Sequence, residues 1–97
     1  MKGLVFGKTF ERACAKLDDI RENYELYRLP IEKILRTKHE YVITYQNGDI
    51  WRAVPALENR RGSKANVAYI DHEIDEAFIP IIKACIAVGP WQAYNYY

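Results

Sequence analysis

"YVITYQNGDIWRAV", residues 41–54, is the stretch whose reading decides the fold. Tyr41, Ile43 and Tyr45 alternate with Val42 and Thr44, which is the period of a strand. Asn47-Gly48 follows, and Asp49 to Val54 then alternates again. Two alternating runs around Asn-Gly predict a β-hairpin whose tight turn needs positive φ at both central residues.

Working outward from the hairpin, Ile31 to Arg36 alternates apolar and charged residues, as a half-buried strand would. It begins after "YRLP", where Pro30 forces Leu29 towards extended geometry. Before that, Thr9 to Asn23 reads as a helix. Phe10, Ala13, Cys14, Leu17, Ile20 and Tyr24 recur at spacings of three and four and share one face. Arg12, Lys16, Asp18, Asp19 and Arg21 fall largely on the wet face. Lys2 to Phe6 is a short apolar strand broken by Gly7. On the other side of the hairpin, Pro55 to Asn66 is a loop rich in charge and turn residues. Val67 to Ile70 is a buried strand. His72 to Val88 reads as a helix, with Ile74, Ala77, Phe78, Ile81, Ile82, Cys85 and Ile86 on one face and a kink at Pro80. Gly89-Pro90 stops it, and the tail is either a short edge strand or without fixed structure. The expected fold is α/β in the mixed α+β sense. It is one domain over residues 1–97, a small mixed sheet containing the Asn-Gly hairpin, with two main helices packed on it.

The totals narrow the function classes. With 97 residues, one domain with a modest core is expected. Fourteen basic residues stand against thirteen acidic ones, so net charge exerts no pull on nucleic acid or membrane. No apolar run approaches the ~18–20 residues of a membrane span, and "MKGLVFGKTF" lacks the length and cleavage site of a signal peptide. Cys14 and Cys85 form neither a metal pair nor a disulfide framework and read as buried thiols in a reducing cytoplasm. Tyrosine is the unusual residue. There are eight, with two tryptophans, and "WQAYNYY" closes the sequence.

Three stretches could carry chemistry. "GLVFGKTF" places Gly7, Lys8 and Thr9 between a strand and a helix, the context of a phosphate-binding loop. Gly3 to Gly7 encloses three residues where that motif has four, and Leu4, Val5 and Phe6 favour a strand. A helix end contributes about 0.3–1 kcal/mol to anion binding, whereas micromolar affinity needs about 8 kcal/mol. The plainer alternative is that Gly7 makes the turn and Thr9 caps the helix. "ENRRGSKAN" gathers Arg60, Arg61 and Lys64 around a glycine, suited to a phosphate or carboxylate, or simply to a solvated loop. Trp51 and Tyr69 nearby would permit stacking on a base. Finally, Asp71 ends a buried strand, where α/β sheets bind ligands. It also suits the N-cap of a helix starting at His72. His72 and Glu73 could serve as acid and base, although neighbours on a helix do not face one another.

As an ordered set these pieces resemble the ATPase core of the phage terminase large subunit, a P-loop motor that packages DNA. The set is a strand, "GKT", a helix, an "NG" hairpin, and "N-x-R-G-x-x-A-N" leading to an apolar strand ending in Asp. The resemblance runs over most of Gly3 to Ile82 and is strongest over "YQNGDIWRAVPALENRRGSKANVAYID". It implies that Lys8 and Thr9 match the phosphate lysine and the magnesium hydroxyl, and that Asp71 matches a magnesium-site acid. It also implies a nucleotide with magnesium as cofactor and a phage origin, hence a host-cell cytoplasm. Two departures stand against hydrolysis: the first motif is one residue short, and His72 occupies the place of the catalytic glutamate, with Glu73 one position late.

The expectation is therefore a phage-type binding protein without catalytic residues. It would engage a nucleotide, nucleic acid or host protein, in the manner of an inhibitor of a host defence factor. Gly7, Lys8, Thr9, Arg60, Arg61 and Lys64 would hold phosphate, and Asp71 a metal. Trp51, Tyr69, Trp91 and Tyr94 would stack on a base or partner, and the aromatic tail would build a homo-oligomer. The alternative is an ATP-binding fragment or subunit of a terminase-like motor.

Overall fold

A computed structural model of the chain describes residues 2–23, 30–55, 65–85 and 93–97. The elements run β1 (Lys2–Gly7), α1 (Phe10–Asn23), β2 (Ile31–Arg36), β3 (Tyr41–Tyr45), β4 (Ile50–Pro55), β5 (Val67–Ile70), a 3₁₀ turn (Glu76–Phe78), α2 (Ile79–Cys85) and β6 (Ala93–Tyr96). All six strands join one mixed sheet in the order β2-β3-β4-β1-β5-β6. Strands β2, β3 and β4 are antiparallel, whereas β1 is parallel to both β4 and β5, and β5 to β6. The expected α/β sheet with its hairpin and two helices is what forms.

The hairpin forms by a different turn from the one expected. Gly48 has φ +93°, while Asn47 keeps a negative φ. The Gly48 amide donates to the Tyr45 carbonyl (3.0 Å) and the Tyr45 amide to the Asp49 carbonyl (2.8 Å). This is a three-residue loop in which Gly48 alone takes the left-handed position, the second commonest hairpin solution. Asn47 contributes through its side chain, which accepts from the Asp49 amide (2.9 Å).

Each face of the sheet carries its own core. On one face, Ala13, Cys14, Leu17 and Ile20 of α1 pack on Val5, Tyr41, Ile43, Tyr45, Trp51 and Ala53. This is the helix face that the spacing predicts, except that Tyr24 lies outside the described residues. On the other, Ile74 and Ile82 pack with Leu4, Phe6, Val54, Ala65, Ala68 and Ile70. Asp18 ties α1 to the antiparallel half. It accepts from the Tyr41 hydroxyl (2.6 Å) and from Arg36 (3.1 Å), and the Arg36 guanidinium lies 4.2 Å over the Tyr41 ring. Burial alone would raise the Asp18 pKa, and these hydrogen bonds outweigh it, lowering the value.

Trp51 is expected from the sequence to stack on a partner. It is only 3% exposed and lies across Gly3 on the neighbouring strand, where a Cβ would come within 2.5 Å of the indole. The missing side chain of Gly3 is the space the ring fills, so Trp51 is a core residue. The segment after Asp71 also departs from expectation. It turns at residues 72–74, and the Asp75 carboxylate caps a 3₁₀ turn through the Ala77 amide. Helix α2 begins only at Ile79. Pro80 therefore occupies the first turn, where its missing N–H costs nothing and no kink is needed. Ile81, which the spacing puts on the buried face, is 58% exposed. The tail takes the edge-strand alternative, as β6.

Gly7 fits so closely against the start of α1 that a Cβ there would meet the Ala13 amide nitrogen and the Thr9 carbonyl oxygen at 2.5 Å. Both are backbone atoms and cannot swing aside. Gly7→Ala is expected to destabilise the fold by about 1–3 kcal/mol, whereas Lys8→Ala, at an exposed position, should leave the urea midpoint nearly unchanged.

Candidate functional site

The carboxyl ends of β1 and β5 lie side by side, and Asp71 follows β5 there. Its side chain is 0% exposed. An ionised carboxylate taken out of water costs several kcal/mol unless paired and hydrogen-bonded, and Asp71 is fully engaged. Arg12, from the first turn of α1, donates Nε to Oδ2 and Nη2 to Oδ1 (2.8 Å), a two-pronged ion pair. The Lys8 amide donates to Oδ2 (3.0 Å) and the Glu73 amide to Oδ1 (3.0 Å). The Arg12 hydrogen bonds hold the Asp71 carboxyl well below the usual carboxylate range. Burial opposes the shift, and the two amides reinforce it. The same contact raises the Arg12 pKa.

Tyr97, directly after β6, closes the site from the β5 side. Its hydroxyl donates to the Phe6 carbonyl (2.7 Å) and its amide to the Ile70 carbonyl (3.0 Å). Its carbonyl accepts from the His72 amide (2.6 Å), and His72 Nδ1 lies 2.6 Å from the same oxygen. Lys16 Nζ sits 5.4 Å from the Tyr97 ring and 5.6 Å from the Tyr69 ring. Burial, and then the Asp71 charge, push the Tyr97 hydroxyl pKa up, so it remains a donor.

The expected phosphate loop is thus turned inward. The Lys8 amide, which would face a phosphate, is spent on Asp71. Thr9 Oγ1 accepts from the Arg12 amide (3.2 Å), and the Thr9 carbonyl accepts from Ala13 (3.2 Å). Thr9 is a helix cap, and Gly7 serves close packing. The Lys8 side chain is exposed. The arrangement does not fit magnesium either: both Asp71 oxygens already contact a guanidinium and backbone amides, and among the described residues no three His, Cys, Asp or Glu side chains gather as metal ligands. His72 and Glu73, expected to point apart, do meet, Nε2 to Oε1 at 3.2 Å, because they occupy a turn rather than a helix. Tyr69 is half-buried, with its ring centroid 6.0 Å from that of Trp51. Tyr94 packs against the second core, with Lys83 Nζ 5.0 Å from its ring. Arg60, Arg61, Lys64 and Trp91 lie outside the described residues.

Sequence reasoning misses Arg12 and Tyr97 as members of the site. The helical spacing puts Arg12 on the wet face, and its guanidinium does lie partly in solvent. The usable signal is indirect: a buried acid at a strand end demands a cation, and Arg12 stands three residues after the helix cap.

With this geometry in place, the chain resembles a solved large terminase from a thermophilic bacteriophage, with 16% identity and a TM-score of 0.62 over 98% of this chain and 24% of that one. The chain spans about a quarter of that terminase, and the likeness is one of fold. No family model and no curated protein matches the sequence. Among the described residues, no helix is long and apolar enough to cross a membrane.

Because Asp71 is held ionised below its ordinary range, the native state binds fewer protons than the unfolded chain as the pH drops. The stabilisation is present above the unfolded value of about 3.9 and is lost as pH falls from there towards the depressed native value. Urea midpoints at pH 7, 4 and 3 should therefore fall for the wild type. Arg12→Gln should start lower at pH 7 and show a smaller or reversed pH response, since burial then favours the protonated acid.

Proposed function

We propose that this chain is a phage-type binding protein on a terminase-like sheet, and that it does not hydrolyse nucleotide. One observation carries the reading: the strand-end position where a phosphate and its magnesium would be held is filled by the chain's own Arg12–Asp71 pair, with the Lys8 amide turned onto the same carboxylate. A nucleotide would have to break that pair before it could bind there. The protein then acts by engaging a partner, and exposed apolar side chains such as Ile34 and Tyr96 favour a protein over a nucleotide. Sequestration of a host factor, including one of a defence system, is the use that fits a small non-catalytic phage protein. The second reading, an ATP-binding subunit of a DNA-packaging motor, draws its support from the fold likeness to the bacteriophage terminase.

Phosphate release from ATP with magnesium separates the two. The expected result is release at the rate of the protein-free blank, for wild type and Lys8→Ala alike. Magnesium-dependent turnover that Lys8→Ala reduces would overturn the proposal in favour of the motor.

A further inference from the structure

Among the described residues, the sheet face that carries α2 is covered on one half only. Register fixes which side chains share it. Leu4 lies beside Arg52 and Ala68, Phe6 beside Val54 and Ile70, and Lys2 beside Ile50. Ile74 and Ile82 cover the parallel half, over Leu4, Phe6, Val54, Ala68 and Ile70. The same face continues across β4, β3 and β2 through the cross-strand rows Arg52–Val42–Leu35 and Ile50–Thr44–Lys33. There Leu35 is 39% and Ile50 36% exposed. Antiparallel strands can leave one face to solvent, and among the described residues this half does so while showing apolar side chains.

The open half is basic at its margins. Lys2 and Lys33 border it, and Arg52 sits within it, with Glu40 as its ion-pair partner at 3.9 Å. The covering layer next to it has the opposite character. Phe78 is 37% and Ile81 58% exposed, and Asp75 and Glu76 are exposed beside them. One chain thus presents an acidic, apolar knob and a basic, apolar bed on the same side of its sheet.

We propose that the occupant of the open half is a second copy of this chain, related by a two-fold axis. Each copy lays its 3₁₀ turn and α2 on the β2–β3–β4 surface of the other. Phe78 and Ile81 cover Leu35 and Ile50, Glu76 approaches Lys33, and Asp75 approaches Lys2. Since both patches lie on the same side, one rotation satisfies both contacts, and the interface closes at two copies instead of propagating. Two open bed halves meeting face to face would oppose lysines and arginine to one another, which charge disfavours. This pairing uses neither the strand-end site nor the aromatic tail, so it stands or falls apart from the proposal on hydrolysis.

Sedimentation velocity over a protein concentration series tests it. The wild type is expected to run as a dimer that weakens with added salt. Lys33→Glu and Glu76→Lys, both at exposed positions, should each weaken the dimer by about tenfold or more, with unchanged urea midpoints at low protein concentration. An equimolar mixture of the two variants should restore it, because one of the two symmetry-related contacts is then the wild-type pair and the other the same pair with its charges exchanged. A wild type that is monomeric at about 100 μM, or a dimer that neither charge reversal weakens, would overturn the proposal, as would a mixture no tighter than the variants alone.

Discussion

A fully buried carboxylate sets the terms for the rest of this structure. Asp71 ends β5 at 0% exposure, and an unpaired charge in that position would cost more than a domain of this size can spare. Its four hydrogen bonds come from the turn after β1, the first turn of α1 and the turn after β5. Those three pieces must sit in one arrangement for the charge to be satisfied. The close fit of Gly7 under α1 belongs to the same demand: Arg12 reaches the carboxylate only if the helix starts hard against the end of β1. Position, helix entry and charge are one constraint.

The edge strand completes it. A four-residue parallel strand is a weak element by itself, yet the residue after β6 bonds to the ends of both β1 and β5. The Phe6 carbonyl thereby accepts from the Asp71 amide and from the Tyr97 hydroxyl. Lys16 contributes from α1, its ammonium group within cation–π distance of the Tyr69 and Tyr97 rings. The result is a strand end closed by the protein's own polar groups.

What is legible in the sequence follows the range of the interactions. The strands, α1 and the hairpin's position are written locally, in alternation, in the three-four spacing and in Asn47-Gly48. The turn type is not, because the same dipeptide serves both a two-residue and a three-residue loop, and only backbone geometry separates them. Trp51 misleads because an indole in a strand looks like a partner contact until Gly3, about 50 positions earlier, is seen opposite it. The helix boundary after Asp71 misleads for a related reason. The Asp71 carboxylate takes the Glu73 amide as a cap would but is held at the same time by Arg12, 59 residues away, and the chain turns until Asp75 caps a later start. Tyr97 carries no signal, since its hydroxyl and its amide both donate to backbone carbonyls. The site itself is legible as a location and not as a chemistry.

That difference bears on how a shared fold and a shared activity part company. A phosphate approaching the helix end would gain the Lys8 amide and a helix-dipole contribution of about 0.3–1 kcal/mol. To do so it must take that amide, and the nearby guanidinium, from a buried carboxylate that has no water to fall back on. Truncating one partner of a buried ion pair generally costs several kcal/mol, so the internal anion holds the site against an external one. A terminase-like strand layout can thus persist with its strand ends occupied by the protein's own ion pair. On the proposed reading, recognition would fall to side chains the core leaves exposed, such as Ile34 and Tyr96.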